Sequence, residues 1–254
     1  MKALVFDIRL SSLYSIRIPF TWQSALTYPL LPPSSVIGML ANAMQRLKND
    51  KHPLEYLDMM EDEILWAGSK LLTCCIIKSY TTSAIVKWED VQPWKFTNAL
   101  GRQYAFSKEI QTIAIFKNDS LLDEIRDAVK RTPLTCGDSE SSISVNNDPQ
   151  IFDVETRQMR EGEEIETQFP FPFDTGFYDI AKGSGKIFLV HERCKKSGRN
   201  FPLEMYMFPL RETEGVLSGE KILLKLKKQI PVYFTPHNEE KDVFIPQKYL
   251  LKNA

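Results

Sequence analysis

The side chains that could move protons near neutral pH are few in this chain of 254 residues. His52 precedes a proline in a polar segment, and His237 lies in the turn-like sequence TPHN. His191 ends the apolar run KIFLVH and could act as a general base with Tyr206 or Lys195. A strand-end histidine without a catalytic role is the simpler interpretation. The sequence has no GxSxG or HExxH motif and no acids spaced like metal ligands, so we expect no catalytic residues, metal or cofactor.

Other segments could contact phosphate. KGSGK, residues 182–186, lacks the GxxxxGK[ST] spacing of a phosphate-binding loop, so a flexible hairpin turn is the better interpretation, although its lysines could still meet phosphates. In GRQY, Arg102 could bind a phosphate and Tyr104 could stack on a base. A glycine turn followed by an ordinary exposed arginine explains the same residues equally well. CGDSES, residues 136–141, favours a structural turn in which Gly137 has a positive φ.

The net charge of −1 by itself argues weakly against nucleic-acid binding, but the charges are unevenly distributed. Residues 54–66 hold five acids and no base, whereas residues 182–199 hold six bases and one acid. A basic segment in a neutral chain can follow a phosphate backbone. On charge alone, a lysine-rich solvated loop is the favoured alternative.

The hydrophobic pattern predicts the elements that must position these residues. Residues 2–10 alternate as a strand does, and Tyr14–Phe20 alternate again, which indicates a strand or its continuation. Ser34 or Ser35 is a suitable N-cap for a helix. The buried face of that helix is predicted to hold Ile37, Leu40, Ala41, Met44 and Leu47.

Further along, the pattern predicts a second helix from Pro53 to about Gly68, with Leu54, Leu57, Ile64 and Leu65 available for burial. It then predicts strands at 71–77, 109–116 and 143–145, a hairpin-like excursion at 81–105, and a helix capped by Asp119 that ends before Pro133.

This order gives a fold of the α+β class, a ferredoxin-like (RRM-like) βαββαβ palm over residues 1–145 with an insertion at about 81–105. Residues 146–254 should form a smaller, mostly-β C-terminal part. Its predicted strands lie at 187–191, 204–208, 222–227 and 231–234.

The N-terminal sequence lacks a signal peptide, no apolar run reaches the length of a membrane span, and the four cysteines have no zinc or disulfide spacing. We therefore expect a cytoplasmic protein with no membrane association.

Four segments together resemble Cas family five, the RAMP-superfamily subunit of the CRISPR Cascade complex, and most closely its archaeal type I-A branch. They are YPLLPPSSVIGML at 28–40, Arg102-Gln103-Tyr104, IQTIAIF with the helix before Pro133, and CGDSES. Their order and spacing, more than any one motif, carry the likeness over residues 1–145.

The resemblance implies a palm with a protruding thumb at about 81–105 and a role in antiviral defence. Such a subunit holds and caps the 5′ handle of the crRNA. It contacts the backbone subunit (Cas family seven) and the large subunit (Cas family eight), and it meets target DNA indirectly. Asp138 stands where many relatives have arginine, so this loop should act through backbone N–H groups or through structure.

For such a binding mechanism, basic side chains would hold phosphates and aromatic rings would stack on splayed bases. The Pro-Pro-Ser-Ser segment would contribute hydroxyl and helix-terminal N–H donors. The candidate RNA-binding residues are Arg17, Ser34, Ser35, Lys78, Lys87, Arg102, Tyr104, Lys186 and Arg193.

Two alternatives to a non-catalytic RNA-binding subunit stay open. One is a metal-independent endoribonuclease that processes precursor crRNA, for which His191 would be the candidate base. The other is a ferredoxin-like adaptor between proteins, which would have no affinity for RNA at low salt.

Overall fold

The computed structural model describes residues 1–21, 24–85, 97–137, 141–194, 202–237 and 240–251. It is a mixed α+β structure with few helices and many strands, as the sequence predicts. The elements up to the third helix are β1 (Lys2–Leu10), β2 (Ser24–Ala25), α1 (Pro33–Lys48), α2 (Pro53–Glu63), β3 (Ile64–Leu71), β4 (Cys75–Ile85), β5 (Thr97–Ser107), β6 (Glu109–Phe116) and α3 (Leu122–Arg131).

After α3 the described chain is almost entirely strands. The elements are β7 (Leu134–Thr135), β8 (Ser142–Val145), β9 (Gln150–Asp153), β10 (Glu155–Met159), β11 (Glu164–Thr167), β12 (Phe171–Pro172), β13 (Tyr178–Lys182), β14 (Lys186–His191), β15 (Leu203–Phe208), β16 (Leu210–Thr213), β17 (Val216–Gly219), β18 (Ile222–Leu226), β19 (Ile230–His237), β20 (Glu240–Phe244) and α4 (Lys248–Leu251). The four strands expected beyond residue 146 correspond to β14, β15, β18 and β19.

The largest sheet is antiparallel, has the strand order β3-β6-β1-β8-β7, and adds β9 alongside β1. One face of β1, with Leu4, Phe6 and Ile8, packs in the main core with the buried sides of α1 and α3. The helices lie on this face because their apolar residues recur every three or four positions, which makes one continuous stripe.

The opposite face of the sheet is also buried, since segments from the C-terminal half cover it. Ala3 and Val5 of β1 share a second cluster with Trp66, Phe169 and Phe244. The ring centroids of Trp66 and Phe244 are 4.7 Å apart, and those of Trp66 and Phe169 are 5.7 Å apart. β1 therefore has apolar residues on both faces, as a central strand requires.

The predicted helix from Pro53 to Gly68 is wrong in its second half. α2 ends at Glu63, and Ile64 begins β3, which pairs with β6. Leu54 is exposed, and Ile64 is buried in the strand. A glycine is needed at position 68 of this strand, because a Cβ there would lie 2.7 Å from the Trp66 ring, which packs across this position.

The predicted strand at 71–77 is also wrong, because the chain turns in its middle. β3 ends at Leu71 and β4 begins at Cys75. The backbone N–H groups of Lys108 and Glu109 donate to the Thr73 hydroxyl, which fixes this turn against the start of β6. The apolar run is thus divided between two strands and an exposed turn.

Two further expectations fail locally. The strand expected at Tyr14–Phe20 is replaced by two isolated β-bridges, at Tyr14 and Arg17. The segment ends at Phe20, which has a φ of 60° and is 88% exposed. The helix that Asp119 was expected to cap has Leu121 at its N-cap, without a side-chain hydrogen bond. Asp119 contributes only its carbonyl, which accepts from the Leu122 N–H. The strands at 109–116 and 143–145 and the positive φ of Gly137 are confirmed.

None of the helices in the described segments is long and apolar enough to cross a membrane.

Candidate nucleic-acid interface

The hairpin formed by β4 and β5 carries a surface whose chemistry suits single-stranded nucleic acid. The strands pair without a bulge from Cys75 opposite Ser107 to Ile85 opposite Thr97. Successive side chains of a strand point to opposite faces, so alternate positions share one face. Three cross-strand pairs make up this hairpin face: Ile76 with Phe106, Lys78 with Tyr104, and Tyr80 with Arg102.

The other face of the hairpin base determines which way these residues point. Cys75, Ala105 and Ser107 are buried. Ala105 also exchanges two backbone hydrogen bonds with Tyr14, at 2.8 and 2.9 Å. Because these residues anchor one side of the hairpin to the core, the alternate positions must point outward.

Aromatic rings and cations contact one another on the hairpin face. The rings of Tyr80 and Tyr104 meet edge to face, with centroids 5.8 Å apart. The Arg102 guanidinium carbon lies 4.9 Å from the centroid of the Tyr104 ring, a cation–π distance. Arg102 Nε also donates to Ser15 Oγ over 3.4 Å. These contacts hold the rings and the cation in place before any ligand binds.

Large apolar surface remains accessible on this face. Tyr80 is 48% exposed, Phe106 42% and Ile76 38%. Exposed rings interleaved with cations are the arrangement that binds single strands, since bases stack on the rings while phosphates meet the charges. None of the six positions is acidic, so a phosphate backbone would meet no repulsion from them.

A groove of about 610 Å³ lies beside the hairpin. Its lining includes Ile77, Lys78 and Gln103 of the hairpin, together with Lys186 and Phe188 of β14. Lys186 is paired with Glu212 at its rim, so its charge is partly compensated. Since Lys78 borders both surfaces, the groove and the hairpin face are neighbours.

The structure brings Lys78, Arg102 and Tyr104 together on the hairpin face and places Lys186 in the adjacent groove. Arg17 is exposed and precedes Ile18, a residue of that groove, and its Nη2 donates to the Thr21 carbonyl over 3.3 Å. Lys87 lies outside the described residues, as do Asp138 and Lys195.

Ser34 and Ser35 are not N-caps. α1 begins at Pro33 with Pro32 at the N-cap, so both serines lie inside the first turn and are half-buried. The Ser35 N–H donates to the Pro32 carbonyl over 3.0 Å, and the Ser34 carbonyl accepts from Cys194 Sγ over 3.0 Å. Pro33 at the first helical position has a ring that fixes a helical φ, and it lacks the N–H that a cap would otherwise have to satisfy there.

Arg193 is held inside the protein. Its Nε lies 2.6 Å from Glu61 Oε2, and its Nη1 donates to the Ile64 carbonyl over 2.7 Å. The Cys194 N–H donates to the other Glu61 oxygen over 2.5 Å. Burial and the neighbouring Glu61 carboxylate raise the pKa of the Cys194 thiol to about 12. These bonds join α2 to the end of β14, so Arg193 has a structural role.

Two of the residues considered for catalysis lie on the paired strands β14 and β15, where His191 is opposite Leu203 and Tyr206 is opposite Phe188. His191 Nδ1 is 3.1 Å from the Pro202 carbonyl. The buried Tyr206 hydroxyl donates to Glu192 Oε1 over 2.5 Å, and burial together with that carboxylate raises the pKa of Tyr206 well above its usual value. A tyrosine held protonated in this way is a poor base near neutral pH. Within the described residues, no group of three His, Cys, Asp or Glu side chains is placed to hold a metal ion.

Sequence reasoning missed Tyr80, Phe106 and Ile76. The signal was present, because 76, 78 and 80 alternate with buried or small residues, as do 102, 104 and 106. It was missed because the hairpin-like excursion was placed at 81–105, which leaves residues 76–80 and 106 outside it.

No protein-family model matches the chain, and no curated protein matches it in sequence. A solved structure described as a CRISPR protein from Archaeoglobus fulgidus is similar, with a TM-score of 0.57, 16% identity and coverage of 96% of this chain and 99% of that one.

Two more solved structures have TM-scores below 0.5 and support no conclusion. One is a CRISPR RNA-guided surveillance complex (TM-score 0.46, 13% identity, 89% of this chain and 91% of that chain). The other is a Type III-B Cmr-beta complex bound to cognate target RNA and AMPPnP (TM-score 0.49, 11% identity, 86% of each chain). The first comparison, at 16% identity, shows that this chain shares the fold of the Archaeoglobus CRISPR protein.

Proposed function

We propose that this chain is a non-catalytic subunit of a CRISPR RNA-guided complex and that it binds single-stranded RNA on the hairpin face. The observation that carries the proposal is the interleaving of cations and aromatic rings on one face, where Lys78, Tyr80 and Phe106 are exposed and Arg102 and Tyr104 are half-buried. The fold shared with a CRISPR protein supports the biological setting.

The finer identity is that of a Cas family five subunit in an archaeal type I-A Cascade, within the cytoplasm. The strand order β3-β6-β1-β8 supports a ferredoxin-like palm, because it follows the order second, third, first, fourth of βαββαβ. The connections are also helical in the expected places, with α1 and α2 after the first strand and α3 after the third. The β4–β5 hairpin, inserted between the second and third strands, then corresponds to the thumb.

In this role the RNA is the 5′ handle of the crRNA. Its bases stack on Tyr80, Tyr104 and Phe106, and its phosphates lie near Lys78 and Arg102. The backbone and large Cascade subunits, of Cas families seven and eight, are the protein partners, and contact with target DNA is indirect. Binding depends on salt because phosphate contacts release counterions.

RNA binding by the full chain tests the proposal. We expect Tyr104→Ala to weaken binding of a single-stranded repeat RNA by about tenfold, since stacking contributes about 1–3 kcal/mol per base. Arg102→Ala should also weaken it, because the change removes both a phosphate contact and the partner of the Tyr104 ring. Fluorescence anisotropy at low salt is the measurement.

Arg157→Ala is the matched control, because Arg157 makes the same kind of contact with Phe234, at 5.3 Å, on a different sheet. Equal affinity in Arg102→Ala, Tyr104→Ala and Arg157→Ala would refute the assignment of the hairpin face. Incubation with labelled repeat RNA without metal tests the absence of catalysis. Cleavage that His191→Ala abolishes would establish the endoribonuclease alternative instead.

A further inference from the structure

Two more strands extend the hairpin face across its sheet, whose order is β16-β17-β4-β5-β2. Val216 of β17 is opposite Ile76 of β4, and Arg211 of β16 is opposite Ser218 of β17. Residues directly opposite each other on paired strands share a face of the sheet, and so do residues two apart on one strand. Val216 and Ser218 are two apart on β17, so Arg211 lies on the same side of the sheet as Ile76. From β5 to β16 there are three inter-strand spacings, roughly 14 Å.

The extended face carries no negative side chain at its described positions. The added positions are Arg211 and Thr213 on β16, and Val216 and Ser218 on β17. Arg211 has a side chain that is 66% exposed. The sheet therefore presents cations at both ends and neutral residues between them, which leaves a path for an anionic strand.

At the far end of this path Arg211 borders a pocket of about 570 Å³. We call it the turn pocket, because the KGSGK turn between β13 and β14 forms one of its sides. Its lining residues are Glu166, Lys182, Gly183, Ser184, Arg211, Glu220, Lys221 and Leu223.

The turn itself is firmly packed. Gly183 has a φ of +95°, and a Cβ there would lie 2.4 Å from the Lys221 carbonyl oxygen. A Cβ on Gly185 would lie 2.5 Å from Met207 Sδ. The turn thus holds Lys182 and Ser184 against β18, contrary to the flexible turn expected from the sequence. The exposed Ser184 hydroxyl lies in the same pocket as the basic side chains and could donate a hydrogen bond to a phosphate oxygen.

The charges in the turn pocket leave an excess of positive charge. Lys182, Arg211 and Lys221 oppose Glu166 and Glu220, so three bases face two acids. Both cross-pairs are long, since Lys221–Glu166 and Arg211–Glu220 each measure 3.6 Å. The Arg211 and Lys221 side chains are 66% and 42% exposed, so a phosphate can reach both cations and compete with pairs of this length.

We propose that RNA bound on the hairpin face continues across β17 and β16 and places a backbone phosphate in the turn pocket. This inference rests on the proposed function, because the hairpin face supplies the first part of the path. It adds a second contact, which only a longer strand reaches.

Two lengths of single-stranded RNA, about 4 and about 16 nucleotides, test the inference with the full chain, because a tetranucleotide that occupies the hairpin face is too short to reach β16 as well. Arg211→Gln should weaken binding of the longer RNA about five- to tenfold at low salt and should leave the shorter one unchanged. It should also reduce the slope of log K against log salt for the longer RNA by about 0.7, the value for one phosphate on a single strand. Lys221→Gln should act in the same direction.

The control is Arg131→Gln, because Arg131 is 69% exposed, pairs with Asp127 at 3.2 Å and lies on α3. Equal effects of Arg211→Gln and Arg131→Gln on the longer RNA would overturn the inference, as would equal losses of affinity at both RNA lengths.

Tyr104→Ala separates the two proposals. If Tyr104→Ala weakens both lengths while Arg211→Gln weakens neither, the hairpin face stands and the turn pocket fails. If Arg211→Gln weakens the longer RNA and Tyr104→Ala weakens neither, RNA reaches Arg211 without the hairpin face, and the proposed function and the continuous path both fail.

Discussion

Single residues in this protein divide between those that could meet RNA and those that hold the fold, and the basic residues belong to both groups. Lys78 and Arg102 project from an exposed sheet face, whereas Arg193 is surrounded by Glu61 and the Ile64 carbonyl. Sequence alone assigned all three to RNA, because it shows charge and not burial. The neighbours of the side chain decide between the two roles.

Arg193→Ala should destabilise the protein by about 3 kcal/mol or more, because it leaves the Glu61 carboxylate buried beside α2 without its cation. Urea unfolding measures the change. Arg157→Ala removes an exposed pair with Glu155 and should cost less than about 1 kcal/mol. A stable Arg193→Ala protein with weakened RNA binding would contradict the structural role of this arginine.

The cysteines should react with a maleimide in an order set by their surroundings. Cys74 is exposed, whereas Cys75 and Cys136 are buried. Burial raises the pKa of the Cys75 thiol, and burial with Glu61 raises that of Cys194 to about 12. A raised pKa lowers the thiolate fraction, which is the reactive form. We expect Cys74 to be labelled first in the native protein, by mass spectrometry of peptides, and Cys74→Ser to leave only slow labelling. Rapid labelling of Cys194 near pH 8 would contradict this order.

At the scale of secondary-structure elements, the local hydrophobic pattern predicted those strands and helices whose formation depends mainly on local sequence. β1 and β6 were predicted because an alternating pattern or an apolar run marks each strand, and the start of α1 was predicted two or three residues too late. The second helix was extended too far because Ile64 and Leu65 fit a helical stripe as well as a strand. Pairing with β6 and packing around Trp66 select the strand. Neither is visible in the local sequence.

The candidate site was partly predictable for the same reason. Arg102 and Tyr104 could be named because their types suggest the chemistry, and the hairpin could be expected. The neighbours of that hairpin could not, because β17 pairs with β4 across roughly 140 residues of chain. Arg211 therefore had no sequence signal that would connect it with Tyr104.

Gly137 gives a test at this scale. Gly137 has a φ of +87°, and a Cβ there would lie 2.5 Å from the Ser15 carbonyl oxygen. Gly137→Ala should therefore cost more stability than the roughly 1–2 kcal/mol that a left-handed conformation alone imposes on alanine. Gly162→Ala is the control, since Gly162 has a φ of +85° with nothing within 4 Å of an added Cβ. If the two variants lost the same free energy of unfolding in urea, the backbone at Ser15 would have moved away from the added Cβ without an energetic cost.

The whole molecule has its core residues on both sides of the boundary expected at residue 145. The main core includes Val190, Tyr206 and Phe208 from the C-terminal half, together with Leu4 and Phe6 of β1. The second cluster adds aromatic residues from that half to the opposite face of the same sheet. Because both of these clusters combine residues from the two halves, we expect the two halves to unfold together.

A fragment of residues 1–145 should consequently fail to fold by itself. It would expose Ala3, Val5, Trp66 and Ile113, all buried in the full chain. It would also lose β9 and β17, the partners of β1 and β4. Burial of apolar surface contributes about 25 cal/mol per Å², so uncovering one face of a sheet removes more free energy than a typical domain has in reserve.

Circular dichroism and thermal unfolding of this fragment are the measurements, with the full chain as reference. We expect aggregation or a broad, non-cooperative transition, and recovery of a cooperative transition when residues 146–254 are co-expressed and co-purify with the fragment. A fragment that unfolds cooperatively near the temperature of the full chain would contradict the shared core. It would also mean that the C-terminal half covers an already stable sheet, and the Arg211 contact could then be removed by truncation without loss of the hairpin face.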